Sequence, residues 1–172
     1  DAVIVAADGA TLQLRPRAGG DPVAVTLDDA TRITARSTSS LDRIVPGAYL
    51  GTTAAPGADG TLIASEVHIF AEPMRGTGEG HSQWDLQPGS TMTNATVREV
   101  VPGAKGREMT LHYKDGEKTI VVPEGIPVVT LKPGDQSLLV PGAKVIVTAQ
   151  VRNGTPTALR ATAGRNGFAP PM

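Results

Sequence analysis

Histidine and methionine are scarce in this chain, three and four residues among 172, yet His68, Met74, His81 and Met92 crowd into one stretch. Imidazole nitrogen and thioether sulfur are the donors that suit copper, and Glu79 and Asp85 offer oxygen beside them. That makes a soft-metal site, with copper the metal, one reading of the stretch. The spacing matches no specified metal motif. Methionine also serves as a gap filler, and a histidine on a strand is commonly a packed or surface residue. The structural account of the same four residues is therefore the main reading, with no cofactor, and copper binding is the alternative.

Catalytic chemistry finds less support. His81, Ser82 and Asp85 supply the residue types of a nucleophile, a base and an orienting acid, but neighbours in one loop seldom meet in that geometry, and no G-x-S-x-G elbow occurs. Asp28-Asp29 pairs two carboxylates in a turn, where they read as solvated turn formers. Phosphate loops, dinucleotide fingerprints, H-E-x-x-H and calcium loops are all missing from the sequence, and no cysteine is present to form a disulfide or a thiolate site. No catalytic residue is assigned, and the chain reads as a protein that is not an enzyme.

The stretch from Glu72 to Asn94 holds the only tryptophan, Trp84, together with Leu86. A flexible linker has no use for such side chains. The expectation is an ordered linker in which Trp84 and Leu86 pack between the domains on either side.

Those flanking regions must be built from strands. Aromatic residues make up 3% of the chain, β-branched residues are plentiful, and 20 glycines and 14 prolines interrupt any helical period. Short strands follow one another: Val3 to Ala6, Thr11 to Arg15, Pro22 to Leu27 and Thr31 to Ala35, then one helical turn near Leu41, then Ala48 to Ala54 and Thr61 to Phe70. The order recurs from Ala95 onward. Ile44-Val45-Pro46-Gly47-Ala48 returns as Leu139-Val140-Pro141-Gly142-Ala143, and Asp59-Gly60-Thr61 returns as Asn153-Gly154-Thr155. Both are corners where glycine, or Asn and Asp, tolerates positive φ. Repeated turns at matching places imply an internal duplication. Units of five or six short strands that hide their edges imply small barrels of OB type, with a β-sandwich as the other candidate.

Net charge is −1, which gives no overall electrostatic reason to expect nucleic acid or a membrane surface. The halves differ: residues 1–72 carry five Arg against nine Asp or Glu, and residues 95–172 carry ten Lys or Arg against six. Tyr113, His112 and Lys114 form the one cluster of aromatic and basic residues, too sparse to stack several bases. No apolar run is long enough to span a bilayer, and the chain opens directly into a strand, which suggests a form from which an upstream segment has been removed.

The phrases Ala-Asp8-Gly9-Ala-Thr-Leu, Val-Thr-Leu-Asp-Asp-Ala-Thr-Arg-Ile, Leu-Asp-Arg-Ile-Val-Pro-Gly and Asp59-Gly60-Thr61-Leu62-Ile63-Ala64-Ser65-Glu66-Val67 resemble a family of exported bacterial domains of unknown function. The resemblance covers residues 2–70 and, less closely, 95–163. It implies tandem OB-like barrels and a periplasmic or secreted location, and it carries no reaction, ligand or catalytic residue. The combined expectation is an all-β protein of two tandem small antiparallel barrels related by duplication. Residues 1–71 form the first, 72–94 the ordered linker, and 95–172 the second with a C-terminal tail. The protein is expected to be monomeric or weakly oligomeric and to bind an unknown ligand or envelope partner, without nucleic acid or a membrane span.

Overall fold

The computed structural model of the chain describes residues 1–84 and 87–165. The regular structure is strand, with three short 3-10 turns at Leu41–Arg43, Glu72–Met74 and Gln136–Leu138 and no α-helix among the described residues. In chain order the strands are β1 (Ala2–Ala7), β2 (Thr11–Pro16), β3 (Val23–Thr26), β4 (Arg32–Thr38), β5 (Tyr49–Pro56), β6 (Leu62–Phe70), β7 (Gly80–Gln83), β8 (Thr91–Gly103), β9 (Gly106–Tyr113), β10 (Gly116–Val122), β11 (Val128–Pro133), β12 (Lys144–Arg152) and β13 (Thr155–Gly164). The all-β class expected from composition and turn chemistry is what the chain adopts. Among the described residues no helix is long and apolar enough to cross a membrane.

Two compact units divide the chain, and neither follows its halves. One comprises residues 1–37 with 132–172, the other residues 38–131. The boundaries suggested by the repeat, 1–71, 72–94 and 95–172, are thus not the boundaries of the compact units. The Glu72–Asn94 stretch begins and ends within the second unit, where it joins β6 to β8.

In the unit of residues 38–131, β5 pairs antiparallel with β6 and with β8, β8 continues to β9, and β9 to β10. Strand β10 then runs parallel to β6 at Ile120–Leu62 and Val121–Ile63, which closes a five-stranded barrel. Alternation turns Leu50, Val67, Val97, Met109, Leu111 and Ile120 inward, and all six are fully buried. Outside the ring, β11 lies parallel to β6 from Val128 to Leu131, and β7 adds to one edge of β8.

The unit of residues 1–37 and 132–172 begins with the meander β1–β2–β3. The hairpin β12–β13 joins it through two residue pairs, Ala2–Val145 and Val3–Lys144. Strand β13 runs parallel to β4 from Arg160 to Gly164 and meets β3 at Thr157–Thr26. Ile4, Leu12, Val145 and Ala161 are fully buried at the centre of its aliphatic core.

Each unit thus takes its last hairpin from the opposite half of the sequence, and the joints correspond. In one, Gly47 N–H donates to the Val97 carbonyl and Val97 N–H to the Ala48 carbonyl, both at 2.8 Å. In the other, Gly142 N–H donates to the Ile4 carbonyl at 2.8 Å and Ile4 N–H to the Ala143 carbonyl at 2.9 Å. Gly47 and Gly142 share φ = +87°, a left-handed value that a side chain disfavours. A register shift falls between Thr53 and Ala54 in one hairpin and between Thr148 and Ala149 in the other.

Charge follows the units differently from the halves. Nine Lys or Arg against six Asp give residues 1–37 and 132–172 a net +3, and seven against eleven acidic residues give 38–131 a net −4.

Candidate functional site

Of the chemistry-bearing residues singled out in the sequence, Met74, Glu79, His81 and Ser82 lie on a strap, residues 71–84, whose strand β7 pairs with β8 of the closed barrel, and Asp85 lies outside the described residues. Ala71 N–H donates to the Leu131 carbonyl at 2.8 Å, and the Glu72–Met74 turn follows, with Pro73 in its first positions where a missing N–H costs nothing. Arg75 then reaches inward. Its guanidinium pairs with Glu72, donates to the Gly47 carbonyl at 2.9 Å, and lies 5.8 Å from the centre of the Tyr49 ring. Tyr49 packs against Phe70 and donates its hydroxyl proton to the Thr77 carbonyl at 3.0 Å. Burial, reinforced by the charge of Glu79, pushes that phenol up to about 12.

Further along, the Asn94 amide donates to the Gly78 carbonyl at 3.1 Å, and the Glu79 carboxylate accepts the Lys114 backbone N–H at 3.0 Å. Strand β7 then pairs with β8, setting His81 opposite Thr93 and Ser82 opposite Met92. The His81 ring shares a hydrogen bond of 2.8 Å with the Thr93 hydroxyl and stacks on Tyr113, with 6.4 Å between ring centres. Burial, then the nearby Lys118 cation, lower the His81 pKa, so at neutral pH the ring is uncharged.

The four expected metal ligands occupy separate places. His81 shares the face of Thr93, while Met92 projects from the opposite face of β8. His68 lies on β6 opposite Gly51, whereas Met92 lies opposite Thr53, so β5 stands between them with an offset of two residues. The His68 ring is paired with the Glu66 carboxylate. Met74 ends the first turn of the strap, half-buried, with its carbonyl accepting from the Thr77 hydroxyl at 2.6 Å. An ion held at about 2 Å from each ligand cannot be reached from both faces of a strand, so the register does not bring the four together. Among the described residues no group of three or more His, Asp or Glu is arranged to hold a metal ion.

Trp84 ends the strap. Its backbone N–H donates to the Ser90 carbonyl at 2.8 Å, and its carbonyl accepts from the Ser90 hydroxyl at 2.7 Å. Trp84 as a residue is 44% exposed. Leu86, its expected companion, lies outside the described residues.

One concavity was not singled out by the sequence reading. About 410 Å³ in volume, it lies beside the β8–β9 turn and is lined by Val100, Val101, Pro102, Gly103, Gly106, Arg107 and Glu124. Its lining includes the apolar residues Val100, Val101 and Pro102 and the oppositely charged Arg107 and Glu124. Arg107 is fixed in place, donating to the Leu41 carbonyl at 2.9 Å and to the Asp42 carboxylate at 3.2 Å. Gly106 allows the turn to pack: its φ is +132°, and a Cβ there would sit 2.5 Å from the Val122 carbonyl oxygen. A smaller concavity of about 150 Å³ lies in the other unit beside the corresponding β1–β2 turn, lined in part by Ala7, Leu12, Leu139 and Val140. The one sequence signal for either site is exposed valine next to a Pro-Gly corner, which turn chemistry alone also explains.

No family model matches the chain, and neither a curated protein nor a solved structure matches it.

Proposed function

We propose that the protein is a non-catalytic binding module that works in the periplasm or outside the cell, and that its ligand seat is the Val100–Arg107 concavity. The location rests on the resemblance to exported OB-like domains. The observation that carries the binding role is the composition of that concavity, in which Val100, Val101 and Pro102 line the same space as Arg107, held by Leu41 and Asp42, and Glu124. Ligand sites characteristically combine a mostly apolar surface with a few fixed polar groups, and 410 Å³ suits a small molecule or one large side chain. The ligand class is an apolar body bearing an anionic group for Arg107.

We further infer that the chain arose by duplication of one OB-like unit whose closing hairpins then changed places. Supporting this are the matching hairpin joints at Gly47 and Gly142 and the shared register shifts. The parallel pairings also correspond, Val128–Val67 in one unit and Ile33–Ala161 in the other. On that plan the Thr157–Thr26 pair closes a second barrel, and the 150 Å³ concavity is the counterpart seat.

Anilinonaphthalene sulfonate, an apolar ring system with one anionic group, is a suitable probe. The expected result is saturable fluorescence enhancement with one strong site, weakened at least tenfold by Val101→Asp with an unchanged melting temperature, and unaffected by His81→Ala. Enhancement that is unsaturable, or insensitive to Val101→Asp, contradicts the assignment. Copper titration in both oxidation states separates the metal alternative: a saturable change in Trp84 fluorescence that His81→Ala abolishes would favour it.

A further inference from the structure

Two opposite charges line the Val100–Arg107 concavity, and they are not paired with each other. Arg107 donates from one terminal nitrogen to the Leu41 carbonyl and from the other to the Asp42 carboxylate. The Glu124 carboxylate is exposed and has no hydrogen bond or ion pair among the described residues. The register explains why the two are neighbours. Arg107 lies opposite Pro102 on β8 and Val122 on β10, and Glu124 follows Val122 by two residues, so both charges belong to one end of these strands.

The balance of charge decides what the site can hold. Asp42 offsets the Arg107 cation at 3.2 Å, while Glu124 stands without a counter-charge, so a purely anionic ligand gains little attraction and meets a repelling carboxylate. A purely cationic ligand leaves Arg107 idle. The guanidinium carries five N–H donors in a planar fork, and Leu41 and Asp42 take one each, so donors remain for a carboxylate. Val100, Pro102 and the exposed Val101 complete the lining with apolar surface. The smaller concavity of the other unit has Gln136 as the polar side chain of its lining and no charged one. A hollow beside such a turn therefore does not require charge, and the pair at Arg107 and Glu124 is particular to this one.

We infer that the concavity takes a dipolar ligand, a free α-amino acid with an aliphatic side chain. The ligand carboxylate accepts from the remaining Arg107 donors, its ammonium group pairs with Glu124, and its side chain lies against Val100, Val101 and Pro102. A space of about 410 Å³ asks for both charges on one small body. A free amino acid has both, whereas the end of a peptide chain brings one. This rests on the assignment of the concavity as the ligand seat, and adds an ammonium group to the ligand class.

The test is an NMR titration of the full chain, labelled with 15N, with L-leucine and with its singly charged analogues isocaproate, which lacks the ammonium group, and isoamylamine, which lacks the carboxylate. L-leucine is expected to shift the amides of Val100, Val101, Gly106 and Arg107 along one saturable curve. Each analogue loses one charge-assisted hydrogen bond and is expected to bind about tenfold more weakly. Glu124→Gln, at an exposed side chain, is expected to lower leucine affinity to that of isocaproate, without weakening isocaproate and with an unchanged melting temperature. Leucine bound no more tightly than either analogue, or with an affinity that Glu124→Gln does not change, overturns the dipolar assignment and leaves the seat in place. Absence of shifts at the concavity with all of these ligands overturns the seat and this inference together.

Discussion

At the scale of single residues, His81 is the most informative side chain. It was singled out as a metal donor, and its surroundings make it a packed, neutral ring: Thr93 bonds one nitrogen, Tyr113 covers one face, and Lys118 discourages a positive charge. The sign of its pH dependence follows. A pKa below the ordinary 6.5 means that above that value folded and unfolded chains are both neutral here, and His81 contributes nothing to the pH dependence. As pH falls through 6.5, the unfolded chain takes up a proton that the folded chain resists, so stability falls until the folded pKa is passed. An NMR titration of the three histidine rings should therefore show His81 titrating below 6.5, and Lys118→Gln should move its midpoint upward. The melting temperature of His81→Gln should decline less than that of wild type between about pH 7 and about pH 5. A His81 midpoint at or above the ordinary value contradicts the packed, uncharged ring.

At the scale of elements, most strands and both Pro-Gly corners were legible because their causes are local. Alternating aliphatics set the strand faces, and Gly47, Gly60, Gly142 and Gly154 sit at positive φ where the turn residues required it. The early part of β8 and all of β7 were not legible. Thr91-Met92-Thr93-Asn94 looks like a polar linker, yet Thr91 and Thr93 are buried, because β-branched threonine fills a strand, and the Thr93 hydroxyl bonds the His81 ring. The expected order of the Glu72–Asn94 stretch rests on Trp84 and Leu86, and the contacts that hold residues 71–84 come from other residues. Arg75, Tyr49 and Asn94 tie the strap down, while Trp84 stands exposed at its end. Tyr49→Phe removes one of these ties and leaves the Thr77 carbonyl without its phenol donor. The expected cost is about 1 kcal/mol, read by urea unfolding, with faster tryptic cleavage after Arg75 in the native protein. Rapid cleavage at Arg75 in the wild type would contradict a fixed strap.

At the scale of the whole molecule, the sequence displays a repeat and conceals how the repeats are assembled. A hairpin's own residues determine its turn and its faces; which other strands it joins depends on edges far away in the chain. The β5–β6 and β12–β13 hairpins differ in their turns, five residues in one and Asn153-Gly154 in the other, but carry register shifts at corresponding places, and those shifts do not specify which edge each hairpin meets. The concavity beside Val100 was hidden for the same reason. Its walls come from β8, β9 and the segment at Glu124, and it becomes a site only when the strands are side by side. Because the compact units do not follow the halves, the charge of each half, acidic then basic, does not carry over to the units, where residues 38–131 are the acidic body.

The interleaved assembly makes a direct claim about which pieces of chain can fold. Residues 38–131 are continuous and contain a complete closed barrel, whereas residues 1–71 lack the hairpin that β1 pairs with and carry one whose partner is β8. The decisive measurement is to express both fragments and compare heteronuclear NMR spectra and thermal melts. The account predicts that 38–131 gives a dispersed spectrum and a single cooperative transition, and that 1–71 gives neither as a monomer. A monomeric, cooperatively folded 1–71 fragment, beside an unfolded 38–131, would contradict it.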